Sequence, residues 1–356
     1  MRLTPRALGR ATLARQLLLE RADLPVVEAT ERLFGLNAQD PNLPYLALWC
    51  RLSPFALGDL TAAIENGSLV RSTLMRATQH VVSAPDFRLV RPLLAPLLRR
   101  AQRNTFGRRT AGVDLDDLVA EAAGLLADGQ VMTRPELGRQ LAVRWPETEP
   151  TALGWSVQYL LPVVHPAPSG TWNVRGPTPF ARADVPAEEH PEELVWRYLA
   201  AFGPASVADA RAWSGIGGLR EVFDRMRSRL RTFTDESGRE LFDLPDAPIP
   251  SADEPAPVRF LPEFDAPLLA FADRTRIMSD EVRRQVCVGD GVAATVLVDG
   301  TVAATWSISR ADGAAVLTVQ PLRPLAPIDR DDVEAEAHLL LAFTDPERVP
   351  VVQMKP

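Results

Sequence analysis

Arginine supplies nearly all the positive charge of this chain, and that restricts the chemistry open to it. Of 39 basic residues only Lys355 is a lysine, and it is penultimate. A GC-rich codon bias accounts for the composition by itself, but its consequence is chemical: no internal amine is available to form a Schiff base. The arginines are also unevenly placed. Residues 1–110 hold 16 basic against 8 acidic side chains and the remainder 23 against 38, so the net charge of −7 averages a basic front and an acidic rear. Within that front, Arg99, Arg100, Arg103, Arg108 and Arg109 are dense enough to follow a phosphate backbone. A solvated helix face paired to the acidic half fits the same pattern. His80, His165, His190 and His338 are scattered, and Cys50 and Cys287 sit in apolar runs. Neither set has ligand spacing, so no metal and no cofactor are expected.

The elements that must position these residues repeat. Three times, helical segments lead into a short β-hairpin. The first copy has periodic segments at Leu3–Glu20, Val26–Phe34 and Pro54–Glu65, then strands Leu69–Met75 and Gln79–Ala84. The second has Leu115–Leu126, Arg134–Val143 and Thr151–Tyr159, then strands around Pro168-Ser169-Gly170. The third has Glu192–Phe202, Val207–Ser214 and Leu219–Leu230, with its turn at Glu236-Ser237-Gly238. Thr133 with Glu136, and Ser206 with Asp209, are spaced as capping boxes. Tandem winged helices are the expected reading, an α+β class that grips nucleic acid. Boundaries fall at 1–95, 96–184 and 185–248.

From residue 249 the composition changes. A Pro-, Ala- and acid-rich strap around Asp246–Arg259 precedes alternating apolar runs punctuated by Asp290-Gly291, Asp299-Gly300 and Asp312-Gly313. These predict a small antiparallel barrel over 249–356, closed by an amphipathic segment at Asp331–Phe343. No charged-apolar leader and no bilayer-spanning apolar run are visible, so a soluble, cytoplasmic, monomeric protein is expected.

Three stretches, ERLFGLNAQDPNLPYLALWCRL (31–52), LVRSTLMRATQHVVSAPDF (69–87) and FLPEFDAPLLAFADRTRI with VLVDGTVAATW (260–277, 296–306), together resemble the AlkZ-like winged-helix DNA glycosylases. The resemblance spans nearly the whole chain. It implies three winged helices plus a β-barrel, double-stranded DNA containing an alkylated purine as partner, and excision of N7-alkylpurines. In some members it also implies protection of antibiotic producers from their own alkylating products. The catalytic triplet of that family, Gln-x-Gln or Gln-x-Asp, falls on Asn37-Ala38-Gln39, whose first residue is one methylene shorter.

Two amides cannot ionise a water near neutral pH. Their carbonyls can accept hydrogen bonds from one, aim it at C1′ and face the developing oxocarbenium charge. That suffices only for a leaving group that departs neutral without protonation, as a cationic N7-alkylguanine does. The resemblance thus implies a monofunctional glycosylase for bulky N7-alkylguanine, with Asn37 and Gln39 catalytic and Asp40 the auxiliary carboxylate. Without the resemblance, Asn37 reads as a left-handed helix end. Arg71, Thr73, Arg76 and Gln79 on the wing, Arg99, Arg100 and Arg103 behind it, and Arg274 and Arg276 of DRTR are the expected DNA contacts. Alternation on the wing and an internal salt-bridged turn at DRTR are the structural alternatives. The rival functional reading is a non-catalytic winged-helix DNA-binding protein or regulator.

Overall fold

The computed structural model describes residues 1–355 and is a mixed α+β structure in which helices alternate with small sheets. Three of these sheets have three strands each, and the first two share one strand order with antiparallel pairing throughout. In the first, Leu36–Asn37 lies beside Gln79–Ser83, which lies beside Leu69–Thr73. Leu33, Leu48, Leu60 and Val81 form the core beneath it. One helix here, Leu43–Trp49, was not expected: its LPYLALW is buried on nearly every side, so no amphipathic period marks it.

The second sheet joins Val131–Thr133, Pro179–Arg182 and Val163–Val164 against a separate core of Leu118, Leu137, Leu153, Val157 and Phe180. The expected tight hairpin at Pro168-Ser169-Gly170 is instead a long excursion over residues 165–178. Thr133 caps its helix as predicted, with the Glu136 carboxylate accepting from the Thr133 amide at 2.8 Å. In the third sheet the hairpin Arg231–Asp235 and Glu240–Asp243 is completed by Arg2–Leu3, which runs parallel to Arg231–Asp235. The start of the chain therefore joins the third sheet.

These contacts tie the first and third units into one body. Phe34 stacks on Trp213 with ring centres 4.9 Å apart, in a core shared with Tyr198 and Phe202. Arg15 donates to both oxygens of buried Asp243 at 2.7 and 2.9 Å. Breaking such a pair from one side costs roughly 3–5 kcal/mol, because the other charge stays buried alone.

The expected barrel is an open sheet. Its five strands follow the order Arg259–Leu261, Thr295–Val298, Thr301–Ala311, Ala314–Pro321, Val349–Met354, and no pairing joins the two edges. Helix Pro327–Thr344 carries the chain back across the sheet, so the last strand enters parallel rather than antiparallel. Pro350 suits that edge, where a missing N–H is tolerated. Asp299-Gly300 and Asp312-Gly313 do form two-residue turns with positive φ at both positions. The strap after residue 245 is held to the first helix, with Arg6 Nε donating to Ala252 O at 2.7 Å. No described helix is long and apolar enough to cross a membrane.

Candidate active-site cleft

Helix Val26–Leu33 ends on Phe34 in the left-handed region (φ 56°), followed by Gly35 at φ 99°. A side chain at Gly35 would meet the Val82 Cγ1 at 2.8 Å, so the reversal needs glycine. The reading of Asn37 as a helix end is thereby corrected: Phe34 and Gly35 terminate the helix, and Asn37 lies in a strand opposite His80. Ala38 is fixed from both sides. Its N–H donates to Gln79 O at 2.8 Å, and its carbonyl accepts from Arg71 Nε and Nη2 at 3.1 and 2.9 Å.

With Ala38 clamped in extended chain, Asn37 and Gln39 project to the same side. Asn37 Nδ2 donates to Gln39 Oε1 at 3.1 Å, and Asn37 Oδ1 accepts from the Gln39 backbone N–H at 3.1 Å. The two amides are therefore unequal. Each side-chain carbonyl accepts one of these bonds and keeps a second lone pair, but Asn37 is buried whereas Gln39 is exposed and lines the cleft. Gln39 Oε1 is thus the carbonyl open to a water in the cleft, and Asn37 holds it in place.

Gln39 and Asp40 line a cleft of about 780 Å³ between the first and second units. Its far wall comes from helix Pro150–Leu160, through Trp155, Gln158 and Tyr159, with Arg134 stacked 3.6 Å over Trp155. Sequence reasoning missed these residues because Trp155 and Tyr159 read as core positions of an amphipathic helix. Thr73 and Gln79, expected as DNA contacts, line the cleft, but Thr73 is buried and its hydroxyl accepts from Gln158 Nε2 at 2.9 Å. Asp40 is held by Arg175 at 2.7 Å, and Asn42 exchanges hydrogen bonds with Asn173 at 2.8 and 2.7 Å. Both contacts fasten the second unit's long loop to the triplet.

Several expected DNA contacts are internal. Arg71 is buried against Ala38, and burial lowers its pKa to about 10 while Asp40 partly offsets it. Arg76, at φ 54°, donates from Nη1 to Trp213 O at 2.6 Å, so it anchors the hairpin turn to the third unit. Arg276 is buried over Phe271 and donates to Pro204 O at 2.9 Å; DRTR is thus a packed turn at that residue. Arg274 is half-buried and donates to Phe271 O and Cys287 Sγ. Arg99 pairs with Asp116, whereas Arg100 and Arg103 are exposed on helix Ala95–Phe106.

No group of three or more potential metal ligands occurs among the described residues. Burial, reinforced by Arg76, drives the His80 imidazole down to about 3, and burial with Arg71 does the same to His165. Glu263, near the triplet, has its carboxyl raised by burial and by the charge on Asp40.

Residues 30–343 match the family described as DNA glycosylase AlkZ-like, and the chain belongs to that family of DNA glycosylases. A solved structure, the Streptomyces sahachiroi DNA glycosylase AlkZ, superposes with a TM-score of 0.78 at 23% identity over the whole of both chains, which shows a shared fold. No curated protein sequence matches the chain.

Proposed function

We propose that this glycosylase hydrolyses the N-glycosidic bond of bulky N7-alkylguanine in double-stranded DNA and stops at the abasic site. The observation that carries this reading is the Asn37–Gln39 bracket at a cleft large enough for a base with a substantial substituent. Gln39 Oε1 orients the water and faces the cationic sugar; Asn37 fixes Gln39. No proton donor to the base is needed, because N7 alkylation already makes the base a neutral leaving group. The three helix-plus-hairpin units act as winged helices, with Arg100 and Arg103 following the phosphates. Repair of adducts made by an alkylating natural product, as self-resistance, fits the size of the cleft.

No lyase step is expected: imine formation at C1′ needs an amine, and besides the N-terminal amine the sequence offers only Lys355, just past the last strand of the C-terminal sheet. Product analysis on a duplex with one N7-alkylguanine tests this. Free alkylguanine and an unbroken abasic strand are expected. Substantial borohydride trapping of a protein–DNA adduct would overturn the monofunctional assignment.

A further inference from the structure

Buried and half-buried arginines among the described residues face a carboxylate or donate to a backbone carbonyl, Arg134 excepted. Arg15 pairs with Asp243, Arg51 with Asp265 and Arg197 with Asp86. Others without an acid, such as Arg76 and Arg276, donate to backbone carbonyls. Arg134 does neither. It lines the cleft half-buried, its guanidinium held over Trp155 at 3.6 Å, and its side chain makes one hydrogen bond, from Nη1 to the neutral amide oxygen of Gln158 at 3.0 Å. Gln158 in turn donates to Thr73 Oγ1 at 2.9 Å, on the strand that pairs with Gln79–Ser83. A half-buried cation without a counter-charge carries part of the desolvation cost, which an anionic ligand would offset.

We propose that Arg134 is an anion-binding, positioning residue that takes a backbone phosphate beside the lesion nucleotide and thereby holds C1′ opposite Gln39. The guanidinium is already immobilised by the Trp155 ring and Gln158, so little rotamer freedom remains to be lost, and its unused N–H groups suit two phosphate oxygens. Stacking of the lesion base on the same guanidinium is the competing use of this surface. Charge decides between them: an N7-alkylguanine is itself cationic and is repelled there, whereas a phosphate is attracted. That choice rests on the N7-alkylguanine reading. Arg71 on the same cleft is not equivalent, because two of its N–H groups are engaged by Ala38 and a third by Ser169.

The experiment is a methylphosphonate scan of the lesion strand, neutralising one phosphate at a time, read by single-turnover excision and by equilibrium binding. With the native protein one position near the lesion should lower excision roughly ten- to a hundredfold, the range expected for one charge-assisted contact. Arg134→Gln should show the same loss on the unmodified strand and no further loss at that position; Arg134→Lys should recover part of it. Equal sensitivity of the native protein and Arg134→Gln at every position would overturn the assignment, as would native excision that no single neutralisation affects. If no base is released at all, the N7-alkylguanine reading fails, and the binding scan still decides the phosphate site: a position that weakens native binding but not Arg134→Gln supports it, and none refutes it. The scan on the native protein requires no variant to fold.

Discussion

The first and third units share a plan of helices leading into a hairpin, yet they treat their arginines differently. In the third, Arg225 and Arg229 meet Glu192, Arg227 meets Asp224 and Glu240, and Arg239 meets Asp235 and Asp273. In the first unit and its exit helix, Arg100 and Arg103 stand exposed, and Arg71 is turned inward to hold Ala38. The first unit also has paired arginines, among them Arg15 with Asp243 and Arg51 with Asp265, but these pairs reach other parts of the chain, while the third unit pairs most of its own around its hairpin. Arg100 and Arg103, left exposed, are the charges we propose for the DNA path.

The largest effect expected from that contrast is at the triplet. Gln39→Ala should lower single-turnover excision by roughly 10² to 10³-fold, or ~2.7–4 kcal/mol, with lesion binding nearly intact. An unaltered rate would remove Gln39 from the chemistry. Asn37→Ala deletes two neutral hydrogen bonds and should cost about tenfold by misaiming Gln39. Asn37→Gln, which restores the family triplet, should remain active; a dead variant would mean that the shorter side chain belongs to a differently shaped site.

Salt dependence sharpens the comparison between units. The whole protein should show a log–log binding slope of roughly −3 to −6, at about −0.9 per phosphate. Removing Arg100 and Arg103 together should flatten it by about 1.8 and weaken damaged and undamaged duplexes alike. Arg99 contributes less than its neighbours, since Asp116 already neutralises it. Replacing Arg225, Arg227 and Arg229 should leave the slope alone; a change there would place the DNA path across the third unit.

The smallest expected effect is on pH dependence of the reaction. His80 and His165 stay neutral down to about pH 3, so excision should be nearly flat from pH 6 to 8. A histidine-like limb in that window would contradict the amide mechanism. Stability behaves otherwise. Both imidazoles have folded pKa values below the unfolded value of about 6.5, so the unfolded chain binds more protons on acidification. Stability should fall as pH drops below about 6.5 and keep falling toward 3, which a denaturant midpoint series would follow.

Much of this layout is legible in the sequence because its signals are local. Thr133 and Ser206 cap helices, Asp299-Gly300 and Asp312-Gly313 make tight turns, and the strands of the first hairpin fall within two residues of expectation. What is not legible depends on distant partners. The RSTLMR alternation cannot reveal that Arg71 ends on Ala38 or Arg76 on Trp213. The open sheet, with Val349–Met354 entering parallel after a long helix, depends on where distant strands meet, which no local signal carries. The cleft's far wall stayed hidden because Trp155 and Tyr159 satisfy the same pattern as core residues.

Leaving-group dependence tests the central claim most directly: that paired amides act only on a base already activated by alkylation. Duplexes of one sequence, carrying either an N7-alkylguanine or a uracil at the same position, are incubated with excess protein and the free bases quantified. The account predicts complete release of the alkylguanine and none of the uracil. Uracil release at a comparable rate, or retention of both bases with tight sequence-selective binding to undamaged DNA, would contradict it.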